Sequence, residues 1–262
     1  MAATVQARAS TRASAVPVPR SRKDAVQDAS TCLKQALKPR KGGKRSSTTR
    51  SRTGRRLVVE LPVAQDGASD LAEIAASLLR DCAPSRDACL LFEDLEAVES
   101  ARRSVSERDV DLCTYASDME RTSKDEAQLH VAMSPAACFD AWLLARPNCD
   151  VVALNPRLQD EQMQALGFQV AYSFMPVSAK AFGVGATIEA AVVKRSGRGP
   201  IASYPYEMYV KRDGTYECVA TWKSRPTEKQ LEDELYAEAS RGGLASTAKR
   251  IFQGWMRSTS NE

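Results

Sequence analysis

The sequence has few of the residues from which most catalytic centres are built. Histidine occurs once, at His130, inside an apolar run. No serine or cysteine nucleophile is placed beside it by the sequence, so it reads as a structural histidine. The seven cysteines include no CxxC pair. That excludes the common zinc patterns, and the odd count excludes a complete disulfide framework. No GxxxxGK[ST] segment occurs, and Gly183-Val184-Gly185 has no helix after it, so it reads as a turn rather than a dinucleotide loop. No apolar run approaches the ~20 residues that cross a bilayer. Nothing here calls for a cofactor or a metal ion.

What is present is divided by charge. Residues 1–56 hold 15 Lys and Arg against two acids, a net +13, while the remainder holds 22 bases and 31 acids, a net −9. The acidic body argues against nucleic acid as its partner. Residues 1–22 carry four Arg, no acid and abundant Ala and Ser, without the apolar core of a secretory signal. That is transit-peptide composition, and Pro17 and Pro19 favour plastid over mitochondrion. An ordinary N-terminal tail is the plainer alternative. Residues 23–56 follow as a helix and a basic linker. Ala25, Val26, Ala29, Cys32, Leu33, Ala36 and Leu37 recur at helical spacing after Asp24. Lys38–Arg56 then carries nine bases and no acid. Most of the cysteines lie in apolar stretches and act as small hydrophobes, the usage of a reducing compartment.

Residues 57–240 predict one α/β domain. Strands are expected at 57–61, 88–92, 110–115, 128–133 and 151–154, with helices at 70–82, 95–105, 135–145 and 156–166 between or after them. The charged stretch 117–126 reads as a surface loop. Near-continuous apolar strands alternating with helices mean a mostly parallel, three-layer sheet of Rossmann-like type. Strands at 170–174, 187–193, 206–211 and 216–222 then follow without long helices between them. Asp213-Gly214 is the dipeptide of a type I′ hairpin, so one edge should be antiparallel. A helix over 227–240 closes the domain.

Three strand-to-helix turns share a design. Glu93-Asp94 follows CLLF, Ser134-Pro135 follows HVAM, and Asn155-Pro156 follows VVAL with Arg157 beside it. These turns belong to the carboxyl ends of the strands, where open parallel sheets bind ligands, and helix N-termini attract anions. Two readings stay open: the residues only cap helices, or they converge on a phosphate-bearing ligand. Residues 241–262 form an amphipathic tail, with Lys249, Arg250 and Arg257 flanking Ile251, Phe252 and Trp255. Such a stripe docks on its own domain, on a partner or on a membrane surface.

The order of elements resembles a plastid and cyanobacterial family of domains of unknown function. That family includes Low Photosystem II Accumulation Three and the C-terminal domain of a chloroplast adenylate kinase. The matching segments are the helix 24–37, LVVELP (57–62), CLLFEDLEAVESAR (89–102), the Asn155-Pro156 turn, AYSF (171–174) and TYECVATWKSRPTEKQLEDEL (215–235). The resemblance implies a non-catalytic chloroplast auxiliary protein, stromal or peripheral to the thylakoid. Its expected partners are photosystem II assembly intermediates. A ligand-binding protein or enzyme using the carboxyl edge of the sheet is the alternative.

Overall fold

A computed structural model describes residues 18–38, 54–62, 68–82, 88–105, 110–121, 129–135, 139–180, 187–197 and 200–239. The basic linker and the tail with Lys249, Arg250, Phe252 and Trp255 lie essentially outside them, as do residues 1–17 and the proposed Gly183–Gly185 turn.

The apolar runs become strands: β1 (Arg56–Glu60), β2 (Ala88–Phe92), β3 (Asp111–Thr114), β4 (Leu129–Met133), β5 (Asp150–Leu154), β6 (Gln169–Lys180), β7 (Thr187–Arg195), β8 (Tyr206–Arg212) and β9 (Thr215–Trp222). Among the described residues their hydrogen-bonded order is β3-β2-β4-β5-β1-β6-β7-β8-β9. The chain is α/β, with a mostly parallel sheet and antiparallel strands at one edge. It divides into two compact units, and the division falls within β6 and β7.

The larger unit holds Pro19–Phe174 and Lys194–Tyr204. Its strand pairs β2–β3, β2–β4, β4–β5, β1–β5 and β1–β6 are all parallel. β2 and β4 are buried along their whole length, as strands covered on both faces must be. The helices are α1 (Arg22–Leu37), α2 (Ala68–Cys82), α3 (Leu95–Arg102), α4 (Tyr115–Met119), α5 (Phe139–Ala145) and α6 (Asp160–Ala165). Tyr115 of α4, Phe139, Trp142 and Leu143 of α5 and Met163 of α6 share one core with Val58, Cys89, Leu91, Ala132 and Ala153 of the strands. α1 packs beside α2, and α2 beside α3.

α1 begins at Arg22, where the Ser21 side chain accepts from Asp24 N at 3.1 Å. Asp24 therefore sits inside the first turn, where its charge favours the helix, and is not the cap. Far along the chain Arg195 Nε donates to Asp28 at 2.6 Å. Burial, then Asp28, push the Tyr172 hydroxyl up, and the same two causes push the Cys32 thiol up to about 12. This polar contact and buried Ala25, Ala29 and Leu33 make α1 part of the folded body.

Two expectations change. Residues 117–126 are not simply a loop. Thr114 caps α4 by accepting from Ser117 N at 3.1 Å, and Asp118 in that helix is buried. α6 starts at Asp160 rather than 156, because Asn155 adopts a left-handed backbone (φ 46) and Gln159 supplies a capping box.

The described part of the smaller unit holds Val18, 175–180, 187–193 and 205–239. β8 and β9 pair antiparallel through Asp213 (φ 48) and Gly214 (φ 80), the two positive angles of a type I′ turn. Arg212 joins this hairpin to α7 (Glu228–Ala239) through Glu238.

Gly54 precedes β1, and a Cβ there would lie 1.7 Å from the Cys149 carbonyl oxygen. Backbone cannot move aside as a side chain can. We expect Gly54→Ala to cost about 2–4 kcal/mol. Gly214→Ala, with nothing within 4 Å but a φ of 80, should cost only ~1 kcal/mol. Chemical denaturation of both variants checks the ranking.

Candidate functional site

The carboxyl edge forms where the topology reverses. After β2 the chain turns outward to β3, and after β4 it turns the other way to β5, although β2 and β4 are neighbours. Adjacent strands with oppositely directed connections make a switch point, the usual ligand crevice of open α/β sheets. Glu93 and Asp94 follow β2, Ser134 follows β4, and Asn155 and Arg157 follow the next strand, β5. All five residues are thus brought to one edge.

Their local roles differ. Asp94 is a true cap: its Oδ1 accepts from Ala97 N at 2.8 Å. Ser134 and Asn155 differ from it in backbone. Both are left-handed, with φ 43 and 46, and both precede proline, a setting costly for residues with a Cβ. Asn155 uses its side chain to extend the sheet. Its Oδ1 accepts from Leu61 N at 2.7 Å, and its Nδ2 donates to Leu61 O at 2.9 Å. The last two turns are tied by Arg157 N, which donates to Pro135 O at 3.3 Å. Glu93 and the Arg157 side chain are exposed.

A second constellation, not foreseen from the sequence, lies inside the sheet's core. Asp118 is fully buried. It accepts from Trp142 Nε1 at 2.9 Å and Arg146 Nε at 3.4 Å, and His130 Nε2 lies 3.4 Å from its other oxygen. Burial opposes the charge, but hydrogen bonds from His130, Trp142 and Arg146 outweigh it and hold the carboxyl down to about 2. With the carboxylate ionised, His130 Nε2 is the donor, while its Nδ1 has no partner among the described residues. Trp142 meets the His130 ring edge-on at 5.0 Å and stacks on Phe139 at 6.2 Å. Beside Asp118, Cys89 and Cys113 bring their sulfurs within 2.9 Å of each other.

Cys89 is the register partner of His130, so cysteine, histidine and aspartate come together as in a nucleophilic relay. Burial argues against that chemistry. Cys89 and His130 have no exposed surface, and the Cys89 thiol is pushed well above its usual range by its bond to Cys113 and by burial. A reactive cysteine needs the opposite. The ligand atoms of Cys89, Cys113 and Asp118 lie within 4.8 Å of one another, a donor set for a soft divalent ion. Asp118, however, is already engaged on both oxygens. Its chemistry is that of an internal ion pair.

At the carboxyl end of β1, Glu60 pairs in register with Ser173. Burial lowers the Lys194 pKa, and Glu60 works against that shift.

The fold is therefore an open α/β sheet whose polar residues gather at a switch-point edge and around one buried carboxylate. Residues 19–233 match a family model described as Domain of unknown function (DUF1995), and the chain belongs to that family. No curated protein matches the sequence. Among solved structures, the flagellar accessory protein FlaH from Methanocaldococcus jannaschii is similar at 9% identity, over 64% of this chain and 91% of its own. Its TM-score of 0.34 is too low to carry an argument.

Asp118 gives a pH prediction with a definite sign. A carboxyl whose folded pKa lies below its unfolded value stabilises fully above the unfolded value and loses that effect as pH falls. Wild-type stability should therefore drop between about pH 4 and pH 2. Asp118→Asn, which removes the buried charge that Arg146 engages, should cost about 3 kcal/mol at neutral pH. It should also flatten the drop, as acid titrations followed by circular dichroism would show.

Proposed function

We propose that the chain is a non-catalytic auxiliary protein of the chloroplast that acts by protein contact on photosystem II assembly intermediates or in thylakoid biogenesis. The observation that carries this reading is the sequence upstream of the family domain. The match starts at residue 19, and what precedes it is arginine-bearing and free of acids, as a plastid leader is. The first turn of α1 depends on Ser21 and Arg22, the latter paired with Asp70 at 3.0 Å. Cleavage on the amino side of Ser21 would preserve both contacts. The linker bases then remain on the mature chain; apart from Arg55 and Arg56, which the fold engages, each is worth ~1 kcal/mol near an anionic bilayer.

A fluorescent fusion of the full chain should enter plastids. N-terminal sequencing of the mature form should place the cut before Ser21. On native gels the protein should co-migrate with thylakoid complexes and leave the membrane in high salt. Mitochondrial or cytosolic fluorescence would remove the proposal.

One observation favours a second reading, a binder of phosphate-bearing ligands at the carboxyl edge. Two left-handed, non-glycine residues stand on neighbouring strands beside the switch point, and such strain gathers at functional sites. A thermal-shift screen with nucleotides and sugar phosphates tests it, because a ligand at 100 times its Kd stabilises by about 2.7 kcal/mol. Arg157→Ala should abolish any shift. No shift with any of these compounds would reject the second reading.

A further inference from the structure

Cys89 and Cys113 lie on neighbouring parallel strands and face the same core cluster, with Cys89 opposite Asp111 and Cys113 opposite Leu91. Their sulfurs are 2.9 Å apart, and a disulfide needs ~2.05 Å, so closure asks for less than about 1 Å of movement. Among the described residues β3 is the terminal strand of the sheet, is four residues long and pairs only with β2. It can make that shift without breaking a second ladder. Edge strands are also among the first elements to open locally, which gives a reagent access to a buried thiol. A metal ion is the competing occupant, but it would need Asp118, which His130, Trp142 and Arg146 already engage.

We propose that Cys89 and Cys113 form a reversible dithiol–disulfide pair, closed by exchange with an external disulfide. Cys113, on the edge strand, loses its proton and attacks one sulfur of the external disulfide. That S–S bond breaks, and one half leaves as a thiol after taking a proton. Cys89 then loses its own proton and attacks the Cys113 sulfur, expelling the second half as another thiol. Two cysteine thiols are oxidised and one external disulfide is reduced to two thiols, so atoms, protons and electrons balance. In the resting dithiol the two sulfurs share one hydrogen bond inside the core, which keeps the pair slow to react until the edge opens. The product clamps β3 and the helix that follows it to β2.

The test uses the full chain, reduced and then equilibrated with mixtures of oxidised and reduced glutathione. Free thiols are blocked under denaturing conditions, and the digested peptides are weighed. Two of the seven thiols should disappear and return with dithiothreitol, with one cross-linked peptide pair containing Cys89 and Cys113. Cys89→Ala and Cys113→Ala should each abolish that pair, and Cys218→Ala should leave it intact. If a core variant fails to fold, the wild-type cross-link still decides the matter. The oxidised wild type should also unfold about 6 °C higher than the reduced form. The proposal is overturned if all seven thiols stay alkylatable in oxidised glutathione, if the cross-link joins other cysteines, or if zinc remains bound through gel filtration and shields these two thiols.

Discussion

Removing a carboxylate from water costs several kcal/mol unless donors inside the protein replace the lost hydration, and much of the larger unit is arranged to replace it at Asp118. The donors come from three places: His130 on β4, Trp142 on α5, and Arg146 just after α5. α4 has five residues, too few for a helix to hold in isolation. Its position comes from this carboxylate and from Arg146, whose guanidinium also donates to the backbone oxygens of Asp118 and Arg121 at its end. With Trp142 fixed, Phe139 stacks on it and meets Phe168 at 5.5 Å, and Tyr115 closes on both at about 6 Å. One charge thus orients the aromatic core on this face of the sheet. It also anchors the chain directly after β3, three residues beyond the start of α4.

The carboxyl edge is built on a different balance. A left-handed backbone costs a residue with a Cβ roughly 1–2 kcal/mol. Asn155 offsets that cost with two side-chain bonds to the Leu61 backbone, each worth about 1 kcal/mol. In effect the side chain pairs with β1 one residue beyond the strand, next to Pro62, where the ladder ends. Ser134 has the same backbone without a matching side-chain bond among the described residues. It sits at the switch point rather than one strand away.

The legible parts of the sequence were those governed by local rules. Apolar runs such as CLLF and VVAL encode buried parallel strands, and Asp213-Gly214 encodes its hairpin because only certain residues accept two positive φ angles. The single histidine was also legible as structural, since an apolar strand offers it no exposed role. α4 was not, because Ser117, Asp118 and Glu120 have the composition of a solvated turn. Only partners 12 to 28 residues away make Asp118 an interior residue. The Asp28–Arg195 pair spans 167 residues and leaves no local trace at all. The three similar strand-to-helix turns looked alike because serine, aspartate and asparagine all cap helices. They differ in φ, and residue type alone does not determine φ for asparagine or serine.

Charge distribution links these structural points to the proposed role. If residues 1–20 are removed, three Arg and no acids go with them, and the net charge of +4 falls to +1. That near-neutrality is only a sum. The nine bases of Lys38–Arg56 are offset by the net −9 of residues 57–262, and the two charges occupy separate stretches of chain. Charges in water are screened from one another beyond a Debye length of ~8 Å in physiological salt. An anionic membrane therefore meets the basic stretch as a polycation, while a basic partner meets the body as a polyanion. On the role proposed above, in which the chain holds a bilayer surface and a protein at once, that separation would give each contact its own charge, which a uniform neutral surface would not provide.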